Sequence, residues 1–156
     1  GVQGVSVRIP NPYGPRQQMK HSKYSIVGWF VRQAMENKTI NIYGDGRQLR
    51  DYIYIDDIVA ALLQLITRGQ TGSPYNIGSH QRISFTQMVD TVIRVVGQGK
   101  KAFVAWPADY EKNETGDYVA DITRVQQDTG WRPQVDLEEG ISRIVKFYQV
   151  NRKHYW

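Results

Sequence analysis

Between Tyr52 and Ile66 the apolar pattern changes its period. "DYIYI" alternates Tyr52 and Tyr54 with Ile53 and Ile55, the two-residue repeat of a strand. Directly after it, Ile58, Val59, Leu62, Leu63, Leu65 and Ile66 recur at helical spacing, up to Gly69. Asp56 or Asp57 is the expected cap of this helix, and its apolar residues belong in a core. A strand passing straight into a helix points to an α/β fold.

The rest of the chain repeats that alternation. "VSVRI" (5–9) is a short β-branched run that ends at Pro10-Asn11-Pro12, which reads as a strand entering a turn. Ile26, Val27, Phe30, Val31, Ala34 and Met35 mark a helix within 24–37, and "INIY" (40–43) is a second strand before the Gly44-Asp45-Gly46 turn. "YNIG" (75–78) is another short strand. Ser84 and Gln87 form a capping box for a helix that carries Phe85, Met88, Val89, Val92, Ile93 and Val96 and stops at Gly97. A strand-like "FVA" follows, then a polar loop from Pro107 to Gly116, a short helix from Asp121 to Gly130, and a last helix opened by Asp136 and Glu139. In that last helix Leu137, Ile141, Ile144, Val145 and Tyr148 face inward.

Composition narrows the function classes. The chain has 156 residues, enough for one domain, and 40% are hydrophobic, enough to bury a core. It has no cysteine, which removes disulfides, thiol catalysis and thiolate metal sites. No apolar run reaches the length of a membrane span, and "GVQGVSVRIPNPYGPRQ" lacks the charged-then-apolar order of a secretory signal, so a cytoplasmic location is expected with no membrane partner. The net charge of +5 comes from groups such as Arg16, Lys20 and Lys23, and Arg143, Lys146, Arg152 and Lys153. These match no zinc finger, RNP motif or basic zipper, so no nucleic-acid partner is expected. A small anionic ligand needs fewer cations.

Two further classes lack their signals. His21, His80 and His154 are widely separated and none has a ligand partner at metal-binding spacing, so no metal site is expected. Gly97-Gln98-Gly99-Lys100-Lys101-Ala102 has the letters of a dinucleotide fingerprint, yet it follows a helix where the fingerprint needs a strand. In the Gly44-Asp45-Gly46 turn, Leu49 takes the third glycine's place.

"RIPNPYGPRQ", "NIYGDGRQLRDYIYIDDIVAALL", "YNIGS", "GDYVADITRVQQDTGWRPQVDLEEGI" and "FYQVNRKHYW" resemble, in order and spacing, the C-terminal half of extended short-chain dehydrogenases, the NAD-dependent nucleotide-sugar epimerases and dehydratases. The resemblance implies an α/β fold lacking most of the Rossmann sheet. On this reading residues 1–156 are a single substrate-binding domain with residual Rossmann strands, and the N-terminal NAD-binding domain is absent. It makes Asn11 and Arg50 the diphosphate contacts, sets Ile42 and Tyr43 against the base, and has Asp117 hold the ribose or its neighbouring loop. A guanidinium suits a diphosphate because it bridges two oxygens in parallel. Glu114 stands where many relatives have a second arginine; either Arg16, Lys112 or Arg47 compensates for it, or the subgroup prefers a different ligand geometry.

The family's chemistry uses a tyrosine with a lysine four residues later, and none of the ten tyrosines here has one. The implied function is therefore the nucleotide-sugar-binding part of such an enzyme, with no catalytic residue and no cofactor in this chain, NAD serving the full-length family. The implied partner is a nucleotide diphosphate sugar, with a homodimer or the missing NAD-binding half covering the orphaned strand edges. A stand-alone binding or interaction module derived from the enzyme is the competing expectation.

Overall fold

The computed structural model describes residues 1–23, 26–107, 109 and 114–156. Its elements run β1 (Ser6–Arg8), β2 (Asn11–Tyr13), α1 (Ile26–Met35), β3 (Thr39–Tyr43), β4 (Leu49–Arg50) and β5 (Tyr52–Tyr54). They continue with α2 (Ile55–Arg68), β6 (Pro74–Asn76), β7 (Ile83–Ser84), α3 (Phe85–Val96), β8 (Lys100–Val104), α4 (Thr123–Thr129) and α5 (Leu137–Asn151), closed by a 3-10 turn at Arg152–His154. The α/β class expected from the sequence is the class observed.

Among the described residues the strands join in four pairs. β1 with β6, β2 with β5 and β3 with β8 are parallel, and β4 with β7 is antiparallel. Each of these pairs is separated in sequence by at least one helix, as parallel pairing requires. Among the described residues no helix is long and apolar enough to cross a membrane.

Two apolar cores result, and β5 is the wall between them. Tyr52 and Tyr54 belong to the first core, with α1, α3 and α5; Ile53 belongs to the second, with Ile58, Leu65, Tyr75, Ile77, Val125 and Trp131. The period-two alternation read from "DYIYI" is thus real, and both of its faces are buried. Ile55 already starts α2.

Local signals fix several helix ends. The Ser84 hydroxyl accepts from Gln87 N at 3.1 Å while Gln87 Oε1 accepts from Ser84 N at 2.7 Å, the expected capping box, and Gly97 takes the left-handed cap (φ 79°). The Asp136 carboxylate caps α5 through Glu139 N at 2.9 Å, and Leu137, Ile141, Ile144, Val145 and Tyr148 are all buried as expected. The last short helix starts later than expected, at Thr123, whose backbone N–H donates to Asp121 Oδ1 at 2.9 Å.

The cap expected at Asp56 or Asp57 is not made. Tyr54 occupies the N-cap of α2 with no side-chain bond. Asp57 is buried instead, and its carboxylate accepts from Gln134 N and Val135 N, each at 3.0 Å, while its carbonyl accepts from Trp131 Nε1 at 3.1 Å. Distant backbone donors compete for that carboxylate and win it from the helix end. The expectation that all of α2 is core also needs correcting: Ile58, Ala61 and Leu65 are buried, but Val59, Leu62, Leu63 and Ile66 are exposed. The helix carries more apolar surface than one core face can cover.

Candidate functional site

The site is built where β2 meets β5. Their parallel register sets Asn11 opposite Tyr52. The Asn11 backbone N–H and its side-chain Nδ2 both donate to the Asp51 carbonyl, at 3.3 and 2.9 Å. The amide is therefore fixed beside the residue that follows Arg50.

Asp51 itself is the anchor of this region. Its fully buried carboxylate accepts from Ser79 N and Ser79 Oγ, both at 2.7 Å, and from Ala120 N at 3.1 Å and His80 N at 3.2 Å. Four donors satisfy a charge that would otherwise be costly to bury. Gly78 is the residue that permits this approach, since a Cβ there would collide with Asp51 Oδ2 and with Ala120. With Asp51 pinned, Arg50 and Tyr52 have little freedom on either side. Burial raises the Tyr52 phenol well above its ordinary value, opposed by the Arg50 charge, and its hydroxyl has no hydrogen-bond partner among the described residues.

Arg50 lies largely inside, its side chain 18% exposed. Nη1 donates to Leu49 O at 2.9 Å and Gly116 O at 2.6 Å, and Nη2 is ion-paired with the Glu114 carboxylate. Among the described residues the cation beside Glu114 is Arg50 itself, not Arg16 or Arg47. Arg47 faces Asp45 at 3.6 Å, Arg16 lies over the Phe147 ring, and Lys112 is outside the described residues. Asp117 holds backbone: its Oδ1 accepts from Leu49 N at 2.8 Å, and Tyr118 N donates to Leu49 O at 3.0 Å. Residues 114–118 are thereby stitched onto β4.

Asn11 lines a cavity of about 260 Å³ with Pro10, Ser22, Lys23 and Ile26. Ser22 also lines a neighbouring cavity of about 200 Å³ with Trp29, Asn41 and Tyr43. One hollow offers an amide and a cation; the other offers aromatic faces. Tyr43 is 36% exposed and its ring lies 5.5 Å from that of Trp106. Trp106 in turn packs on Gly44, whose φ of 66° and missing Cβ leave the room it occupies. Ile42 points the other way, into the core, and is fully buried, so only its backbone is available to a ligand.

The sequence candidates thus fall into two groups. Asn11 and Tyr43 are connected through Ser22, and Arg50 and Asp117 through Leu49. The bond from Asn11 to Asp51 joins the groups. Sequence reading passed over Ser22, Trp29 and Trp106, and it counted Lys23 only in a basic cluster. The available signal was the Gly44-Asp45-Gly46 turn, which announces a space without saying what fills it.

The family model of the NAD dependent epimerase/dehydratase family matches residues 1–78, half of the chain. The chain belongs to that family. It is 28% identical to a dTDP-glucose 4,6-dehydratase of Escherichia coli over 100% of this chain and 44% of that protein. A UDP-glucuronic acid decarboxylase 1 of Xenopus tropicalis is 30% identical over 99% of this chain and 35% of its own length. Among solved structures, the UDP-glucose 4-epimerase of Thermotoga maritima with UDP-glucose superposes with a TM-score of 0.88 at 26% identity, covering 97% of this chain and 47% of that one. The chain spans less than half the length of these relatives, and the fold is that of the extended short-chain dehydrogenases.

Gly97 is the C-cap of α3 and Gly99 leads into β8, so the fingerprint letters of Gly97–Ala102 end a helix where a dinucleotide's phosphate cradle has to begin one.

Proposed function

We propose that this chain is the nucleotide-sugar-binding part of an NAD-dependent epimerase or dehydratase, a single unit over residues 1–156 with the cofactor held by residues outside it. In this reading Asn11 and Arg50 grip the diphosphate. The Asn11 amide nitrogen carries two hydrogens, of which the bond to Asp51 uses one. Lys23, in the same hollow, adds a point charge. Tyr43 and Trp29 offer faces for the base, with the Ile42 backbone behind them, and Asp117 holds the loop beside the ribose.

One observation carries the reading. The β2–β5 pairing sets the Asn11 amide on Asp51, the residue between β5 and β4, and so brings the hollow with Lys23 next to the residue that follows Arg50. An anion has the Asn11 amide and Lys23 in one hollow and the Arg50 guanidinium on β4 beside it.

Calorimetric titration with UDP and dTDP tests it. Binding is expected, and Arg50→Ala should weaken it by roughly 1.5–3 kcal/mol, the range for hydrogen bonds to charged groups. Unchanged affinity in a well-folded variant would make Arg50 a strut for residues 114–116 and remove it from the site.

A further inference from the structure

We propose that Glu114 sets the ligand selectivity of the anion seat by occupying the place on Arg50 that a phosphate oxygen takes. The proposal rests on the assignment of Arg50 as the diphosphate cation.

A guanidinium has five N–H groups in a planar fork. Carbonyls of Leu49 and Gly116 claim Nη1, which leaves the Nη2 side for an anion, and the Glu114 carboxylate sits there. The carboxylate is fixed from its own side as well, because Oε1 accepts from Gly116 N at 3.0 Å. Both partners are mostly shielded, with side chains 18% and 25% exposed, so water screens the pair weakly. The Arg50 charge is therefore matched by Glu114 before a ligand arrives.

Displacement costs little backbone rearrangement. Residues 116–118 remain tied to β4 through Gly116 O, Asp117 Oδ1 and Tyr118 N even when the Glu114 side chain rotates away. A phosphate must then outcompete a carboxylate that is already in place. Free pyrophosphate brings only charge to that exchange. A nucleoside diphosphate also brings a base, which gains the aromatic faces of Tyr43 and Trp29 in the hollow joined through Ser22. Glu114 thus acts as a filter that rejects bare anions and admits anions attached to a base.

The test is calorimetry on the purified protein with UDP and with pyrophosphate, using Glu114→Gln, Arg50→Ala and the double variant. Glutamine keeps an acceptor for Gly116 N and removes the charge. Glu114→Gln should tighten UDP and pyrophosphate by a similar factor, about ten-fold, the scale of one shielded charge contact, which brings pyrophosphate into the range where binding is seen. In the Arg50→Ala background it should change neither ligand. Glu114→Ala provides the same comparison if the glutamine variant melts early. UDP binding that is lost in Arg50→Ala but equal or weaker in Glu114→Gln overturns the filter and leaves the site intact. Pyrophosphate that binds the parent chain as tightly as UDP overturns the selectivity. UDP binding that Arg50→Ala does not change, or no binding by any variant, overturns the site and the filter together.

Discussion

Helices α2 and α5 have the same kind of amphipathic sequence and opposite fates. Every apolar residue that the spacing of α5 assigns inward is buried, and Tyr148 is closed in completely, its hydroxyl bonded to Gln17 O at 2.8 Å. In α2, Leu63 is 62% and Ile66 79% exposed, and Ile66 lines an open hollow of about 630 Å³ with Leu62, Val5 and Val7. Periodicity therefore reports which residues need cover, and the surrounding chain decides how many receive it. The relatives are more than twice as long as this chain, and whether a second protein surface covers α2 is open to measurement on the chain itself.

The largest expected effect is on the closed side. In urea unfolding at sub-micromolar protein, below the range of any dimer, Tyr148→Ala should cost about 3–5 kcal/mol, whereas Leu63→Ala should stay within about 0.5 kcal/mol. A large cost for Leu63→Ala would show that α2 is covered in solution. Next comes the aspartate that ties α2 to the segment before α5. Asp57→Ala strands the N–H groups of Gln134 and Val135 and should cost about 2–3 kcal/mol, read by the same unfolding curves. A neutral result would mean that water replaces the carboxylate and that the two regions are only loosely joined. The smallest effect on stability belongs to Leu63→Lys with Ile66→Lys. Light scattering should show a two-fold dimer at tens of micromolar for the parent chain and a monomer for the double variant, with melting nearly unchanged. A parent chain that is monomeric would break the comparison on the side of α2.

Much of the architecture was legible because its signals are local. The Ser84–Gln87 box and the Asp136 cap are short-range patterns, and the structure repeats them almost residue for residue. Asp57 was expected as a cap and Asp51 was given no role, and both outcomes have one physical reason. Asp51 and Asp57 look like solvated or capping charges until donors from Ser79, His80, Ala120, Gln134 and Val135 arrive from far along the chain. No window of sequence contains that information. Asn11 and Arg50 were visible through motif resemblance, and Glu114 drew notice as a departure. Its pairing with Arg50 depends on how residues 114–118 settle on β4, which again is a long-range fact.

The absence of any strand hairpin among the described pairs has a consequence for synthesis. β1 has no partner until Pro74–Asn76 exist, and β3 waits for Lys100–Val104. Topologies dominated by distant pairings fold slowly and leave edges open meanwhile. As the polypeptide leaves the ribosome, Arg50 precedes Glu114 and Gly116, and Asp51 precedes Ala120, so the ground beneath the proposed anion seat closes only after most of the chain has emerged. Until then both side chains remain hydrated, and a translation product that stops short of Ala120 carries the Asp51 carboxylate without its full set of donors.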